Sequence, residues 1–159
     1  MLLPFFQSIE ASALSKAIST SSWAFAVIES VHLLALSVIG GAVLMLDLRL
    51  LGFGLRRQTV GEVAREAQPW LIGSLIVMLL TGAFLFVSEP IKCYYSTPFW
   101  VKMTSLALAM LFTFTVRWRV TRGETATRVR PIWLKTIALV SLLLWFGVGA
   151  GGRWIGFSG

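Results

Sequence analysis

Four long apolar segments constrain this chain more than any other feature of its sequence. They cover approximately residues 22–48, 70–88, 98–117 and 131–152. A helix rises about 1.5 Å per residue, so each segment is long enough to cross roughly 30 Å of hydrocarbon. Because lipid offers no hydrogen-bond partners to an open backbone, each segment is predicted to be a transmembrane helix.

The composition agrees with a membrane protein. Of the 159 residues, 57% are hydrophobic and only 13% are charged, and a soluble domain of this size could not bury so much apolar surface. No linker-like segment divides the chain, so residues 1–159 are predicted to form a single transmembrane domain.

The expected fold is all-α: an integral membrane four-helix bundle of up-down topology, with short connections between antiparallel neighbours. Residues 5–18 carry apolar side chains at helical spacing and predict a short N-terminal interfacial helix. A proline costs little stability in the first turn of a helix, because the N–H that it lacks would have no partner there. Pro69, Pro98 and Pro131 are therefore expected to mark where the second, third and fourth spans begin.

The cations are distributed unevenly between the two sides of the predicted bundle. Ten of the 14 Lys and Arg residues lie in loops 49–69 and 117–135, and the other side holds only Lys16, Lys92, Lys102 and Arg153. The positive-inside rule therefore predicts cytoplasmic loops and outward-facing N and C termini, as in a bacterial inner-membrane protein. Since the cations flank apolar spans rather than forming a basic face, nucleic-acid binding is not expected.

Polar groups inside a span are costly, which makes them candidates for function. Glu29 and His32 are spaced i, i+3 in the first span and lie on nearly one face of a helix. Lys102 enters the third span from the same side, and Arg153 closes the fourth span there. These four residues are predicted to converge in the outward half of the bundle.

A structural role is one interpretation of this cluster. Glu29 would pair with Lys102 or Arg153, and His32 would bond a backbone carbonyl or a hydroxyl, which fixes the register of the helices.

A b-type haem is the second interpretation, with His32 as axial metal ligand and Lys102 and Arg153 neutralising the propionates. Met78 and Met110 lie at a similar depth, which is compatible with His/Met ligation. The chain has only one histidine, so bis-His ligation within one chain is excluded. His/Met ligation, a five-coordinate iron or a ligand from a second chain remain open.

Other chemistry is less well supported. A copper site from His32 with Met103, Met110 or Met78 would suit soft ligands, yet no HxxxM or MxxM pattern is present. One histidine and one cysteine, Cys93, provide no nucleophile and base arrangement, so an enzyme is not expected.

The opposite side of the bundle offers weaker signals. Asp47 and Arg49 are interpreted as interface anchors, with Asp47 paired to an arginine, and loop 54–68 as a short surface helix. Gly147 and Gly151 form a GxxxG pattern that predicts close helix packing, either within the bundle or in a homo-oligomer.

Four segments carry a resemblance to a known family: Glu29–Ser37 (ESVHLLALS), Leu46–Gly52 (LDLRLLG), Pro98–Met103 (PFWVKM) and Gly152–Phe157 (GRWIGF). In this order they resemble a family of small bacterial four-helix inner-membrane proteins of unknown function. The arrangement is distantly similar to the membrane domains of copper-resistance proteins and cytochrome b561-like bundles.

Two functions are therefore carried forward. The first is a membrane protein whose outward-facing polar cluster binds haem b for electron transfer. The second is a cofactor-free accessory or assembly subunit of a larger membrane complex.

Overall fold

The computed structural model describes residues 3–54, 57–121 and 130–155, and this part of the chain is almost entirely helical. Two short helices, α1 and α2, precede four long ones, and a short α5 follows the second long helix. The bounds are α1 Leu3–Glu10, α2 Ala13–Thr20, α3 Ser22–Leu51, α4 Val60–Ser88, α5 Pro90–Tyr95, α6 Thr97–Phe112, α7 Trp118–Thr121 and α8 Pro131–Ile155.

Four helical segments are long and apolar enough to cross a membrane: Trp23–Leu51, Val60–Ser88, Thr97–Thr121 and Pro131–Ile155. The prediction of an all-α protein with four such helices is confirmed. Each segment extends beyond its predicted bounds, because polar residues at the ends continue the helix past the apolar stretch. The predicted loop residues Arg56, Arg122 and Arg128, and the final residues 156–159, lie outside the described ranges.

Local side-chain chemistry explains where the first spanning helix begins and ends. The Ser21 side chain accepts a hydrogen bond of 3.3 Å from the Ala24 amide and so caps α3. At the other end Gly52 adopts φ 89°, a left-handed conformation that suits glycine and stops the helix.

The predicted start of the second span at Pro69 is wrong. Thr59 and Glu62 form a reciprocal capping box, which begins α4 at Val60, and Pro69 lies within the helix. The helix tolerates Pro69 because the residue is exposed. Its missing amide hydrogen removes one backbone hydrogen bond, to the carbonyl one turn earlier. Most of the loop that was predicted to form a separate surface helix therefore belongs to α4.

The N-terminal segment also differs from the prediction of one interfacial helix. It forms α1 and α2, separated at Ala11 and Ser12, because the Ser12 hydroxyl accepts from the Ser15 amide at 3.2 Å and caps a new helix. Pro98 and Pro131, by contrast, lie in the first turns of α6 and α8, as predicted.

The third spanning helix contains a π-helical turn, Thr113–Arg117, between α6 and α7. A π turn adds one residue to the helical repeat and rotates the side chains that follow it. Thr113 and Arg117 are both buried by this turn.

The packing pattern follows an up-down order. Helix α3 packs along α4 and α8, α6 packs along α8, and α4 and α6 make little direct contact within the described residues. We call the end that holds the starts of α3 and α6 the upper end, and the opposite end the lower end. The gap between α4 and α6 contains a cavity at each end.

Candidate functional site

His32 is the centre of the upper site. Its Nδ1 atom lies 3.0 Å from the hydroxyl oxygen of Thr81 on α4. That hydroxyl lies 2.7 Å from the Val77 carbonyl and donates its hydrogen there. It must therefore accept from His32, which assigns the ring proton to Nδ1 and leaves the lone pair on Nε2.

Lys102 occupies the other side of the imidazole. Its Nζ lies 3.1 Å from His32 Nε2, so the ammonium donates to the histidine lone pair. The hydrogen-bond chain thus runs from Lys102 through His32 and Thr81 to the backbone of α4. It links three spanning helices and satisfies both nitrogens of the buried ring.

Glycines make room for both side chains. A Cβ atom at Gly82 would lie 3.2 Å from His32 Cε1, so the ring packs directly on the backbone of α4. At Gly151 an added Cβ would lie 3.1–3.2 Å from Lys102 Cβ, Cα and N. The GxxxG residues of α8 therefore serve close packing within the bundle, with Gly147 against Ser105 and Gly151 against Lys102.

A cavity of about 700 Å³ opens beside this hydrogen-bond chain, which is within the size range of cofactor sites. Its walls are mainly apolar, and Phe6 of α1 packs over its upper end against Phe86 and Tyr94 at 5.3 and 5.1 Å between ring centroids. Of the residues that the sequence singled out, those that line it are Glu29, His32, Met78, Cys93, Lys102, Met103 and Arg153.

The predicted site residues are not all equivalent in the structure. Lys102 contacts His32 rather than Glu29, and Glu29 is exposed and makes no ion pair within the described residues. Met78 is 1% exposed and belongs to the core as well as to the cavity wall. Met110 does not line the cavity and packs against the core instead.

Cys93 also lines the upper cavity, from the short connection between the second and third spans. Burial raises the pKa of its thiol to about 11, and the nearby Glu89 carboxylate adds to this shift. Within the described residues, no group of three or more His, Cys, Asp or Glu side chains is arranged to hold a metal ion.

A second polar centre lies at the lower end. Asp47 of α3 and Arg117 of the π turn form an ion pair with 3.4 Å between Arg117 Nε and Asp47 Oδ1, and their side chains are only 0% and 4% exposed. Arg117 Nη2 also donates to the Val43 carbonyl at 3.2 Å. Ser141 of α8, itself fully buried, lies against Asp47.

This lower centre is incompletely satisfied. Both Asp47 oxygens, Arg117 Nε and Nη1 and Ser141 Oγ are buried without hydrogen-bond geometry to any described residue. Buried polar atoms in native proteins nearly always have partners, so unpaired ones call for a water or a ligand.

The lower cavity adjoins Arg117 and has a volume of about 510 Å³. The first turns of α4 form one wall and the π turn forms another. Its polar lining consists of Thr59, Glu62, Arg65, Gln68, Thr113, Arg117, Trp118 and Thr121.

Sequence reasoning assigned Asp47 to interface anchoring and left Arg117 among the loop cations. A usable signal was present, because both residues fall inside predicted spans and both lie near the same end of the bundle. The π turn, which directs Arg117 inward, had no signal in the sequence pattern.

The fold and these two sites define a multi-pass membrane protein built on a four-helix bundle, with polar residues buried at both ends. The chain belongs to the family of unknown function DUF6644, whose model matches residues 5–158. No curated protein and no solved structure matches the chain.

Proposed function

We propose that the upper cavity binds a b-type haem, with His32 as an axial ligand, and that the protein serves electron transfer in a bacterial inner membrane. The observation that carries the proposal is the orientation of His32. Thr81 holds the Nδ1–H, and Nε2 is directed away from α4 toward the cavity residue Lys102. Metal-ligating histidines typically donate their other ring N–H in this way.

The cavity has the chemical character that an amphipathic cofactor requires. Phe25, Leu33 and Leu106 contribute apolar walls for a flat macrocycle. Lys102, Arg153 and Lys92 supply positive charge for carboxylates, partly balanced by Glu29 and Glu89. Lys92 pairs with Glu89 at 3.4 Å, and Lys102 and Arg153 are the cavity cations that we propose as partners of the propionates.

Binding requires Lys102 to release the histidine lone pair. The Lys102 side chain lies against Gly152, and its Nζ is 3.5 Å from the position that a Cβ atom of residue 152 would occupy. Because glycine has no side chain, residue 152 does not obstruct movement of the ammonium away from His32. A propionate would then compensate the ammonium for the lost hydrogen bond. When bound, the haem would supply one-electron redox chemistry, and the chain would orient it and neutralise its carboxylates.

Of the two methionines predicted to lie at the depth of His32, Met78 would be the preferred second ligand, because it lines the same cavity whereas Met110 does not; Met103 lines that cavity as well. A five-coordinate iron is the alternative, since Met78 also contributes to the core. The sixth position determines the spin state of the iron, which a spectrum reports.

The test is an ultraviolet-visible spectrum of the detergent-purified protein, expressed with ample haem and recorded oxidised and reduced. We expect a Soret band in the wild type and in Met110→Leu, and its loss in His32→Ala. A colourless wild type would overturn the haem proposal. Co-purification of that colourless protein with a larger complex would then favour a cofactor-free accessory subunit.

We also propose that the upper end, with both termini, faces away from the cytoplasm. The described cations of the lower end include Arg49, Arg57, Arg119 and Lys135, as the positive-inside rule requires. Alkaline phosphatase fused to the C terminus should be active in this orientation. An inactive phosphatase fusion together with a fluorescent cytoplasmic reporter at the same position would reverse it.

A further inference from the structure

We propose that the lower cavity binds a phosphate or carboxylate group, and that the guanidinium of Arg117 holds it. This site is separate from the upper cavity and does not depend on haem binding. The ligand is either a free anion or the headgroup of an anionic lipid, since both present the same oxygens.

The guanidinium of Arg117 is only partly used by the protein. Nη2 donates to Val43, and Nε faces Asp47 at 3.4 Å, which is longer than a charge-assisted hydrogen bond of about 2.7–2.9 Å. Nη1 has no partner in the described part of the chain, although the residue is only 3% exposed. A buried cationic donor without an acceptor is costly, and an anion in the adjoining cavity would relieve that cost.

The π turn explains why Arg117 reaches this position. It rotates the end of the third spanning helix so that Thr113 and Arg117 both face inward. Such turns are frequent at functional sites. Trp145 Nε1 donates to Thr113 Oγ1 at 3.3 Å, which ties α8 to the turn and leaves the hydroxyl hydrogen of Thr113 to be donated elsewhere.

The side chains that line the cavity include two arginines and one carboxylate, so positive charge predominates. Arg65 and Gln68 join Arg117 in its lining. Glu62 is the one carboxylate in that lining, and its Oε2 already accepts from the Thr59 amide and hydroxyl at 2.7 and 3.0 Å. Asp47 lies behind the guanidinium and is not part of the cavity wall, so it balances the charge of Arg117 without blocking the cavity.

An arginine fork suits phosphate and carboxylate oxygens in particular, because its planar donors match their geometry. The volume of about 510 Å³ accommodates such a group with room for more of a ligand. Apolar residues of the wall, Leu46 and Leu71, would contact that remainder.

The experiment measures binding by isothermal titration calorimetry on the full chain in detergent. The two probes are inorganic phosphate and the soluble anionic lipid dihexanoylphosphatidylglycerol. Phosphate binding identifies a free anion as the ligand class, and binding of the lipid alone identifies a headgroup. Binding of neither probe overturns the proposal.

Variants test whether the probe lies in the lower cavity. Ala64→Leu reduces the cavity from its α4 wall without altering the ion pair, and Ala107→Leu makes the same change on an exposed face of α6. We expect Ala64→Leu to raise the Kd at least tenfold and Ala107→Leu to leave it unchanged. Equal affinity in wild type and Ala64→Leu would place the probe elsewhere and overturn the proposal.

A second variant addresses Arg117 itself. Arg117→Gln alone would strand the Asp47 charge and endanger folding, so it is combined with Asp47→Asn. The double variant should unfold cooperatively on heating and bind the probe at least tenfold more weakly than the wild type. Unchanged affinity in the folded double variant would contradict a role for the guanidinium.

Discussion

The two ends of the bundle bury polar groups in opposite ways. At the upper end, both nitrogens of His32 are satisfied, by Thr81 and by Lys102, beside a large and mainly apolar cavity. At the lower end, Asp47 and Arg117 are almost fully buried as an ion pair with a long contact, and several of their polar atoms lack partners among the described residues.

The number of hydrogen bonds that a buried group requires explains how completely each end satisfies it. A neutral imidazole needs one donor and one acceptor, which neighbouring helices supply readily. A guanidinium and a carboxylate together need many more hydrogen bonds, and the described residues supply few of them. At the upper end, a ligand would have only to displace Lys102 from His32. At the lower end, the Asp47–Arg117 pair has unused hydrogen-bonding atoms that a further group would contact.

The largest expected effect comes from breaking the lower ion pair. Arg117→Leu leaves the Asp47 carboxylate buried and uncompensated, which typically costs about 3–5 kcal/mol. The double variant Asp47→Leu with Arg117→Leu removes both charges and should recover most of that loss. The free energy of unfolding in detergent, measured by denaturant titration, checks both.

If the double variant were as unstable as the single one, the Asp47 charge would not be the source of the cost. The lower pair would then matter through the volume and shape of its side chains.

Much of the fold was predictable, because bilayer thickness and hydropathy alone require four spanning helices. The start of α4 was predicted at Pro69 because proline is common at helix starts. The helix begins earlier in the chain, at Val60, directly after the N-cap Thr59 of the capping box. The sequence predicted that His32 and Lys102 converge in the outward half of the bundle, although it assigned Glu29 rather than His32 as a partner of Lys102. An arginine partner for Asp47 was predicted and is present, but Arg117 was not identified as that partner, because it lies at the end of its apolar stretch, where only the π turn directs it inward.

A smaller effect is expected from Lys102→Met at the upper end. The substitution leaves Nε2 of a neutral histidine without a donor, which costs about 1–3 kcal/mol rather than the cost of a stranded charge. The same denaturant titration provides the comparison with Arg117→Leu. If Lys102→Met lowered the free energy of unfolding as much as Arg117→Leu, a neutral histidine without a donor would cost as much as a stranded charge. The proposed contrast between the two ends would then be wrong.

The close approach of α8 to Lys102 gives the next prediction. Gly151→Ala places a methyl group 3.1 Å from Lys102 Cβ and 3.2 Å from its Cα and N, and such overpacking costs about 1–3 kcal/mol. Gly149→Ala is the matched control, because nothing lies within 4 Å of its Cβ position and helix propensity favours alanine by about 1 kcal/mol. Because Gly151→Ala gains the same helix propensity, its unfolding temperature should lie below that of Gly149→Ala by an amount that reflects the overpacking; equal unfolding temperatures would contradict close packing at Gly151.

The mildest test leaves the fold intact and probes the upper cavity through Cys93. Because the pKa of this thiol is raised to about 11, the reactive thiolate is scarce near neutral pH and increases about tenfold per unit as the pH rises toward 11. The rate of maleimide addition, followed by mass spectrometry, should rise accordingly between pH 7 and pH 9. Cys93 is the sole cysteine, so Cys93→Ser provides a blank. A rise clearly smaller than the roughly hundredfold increase expected between pH 7 and pH 9 would mean that the thiol is better solvated than its burial beside Glu89 implies.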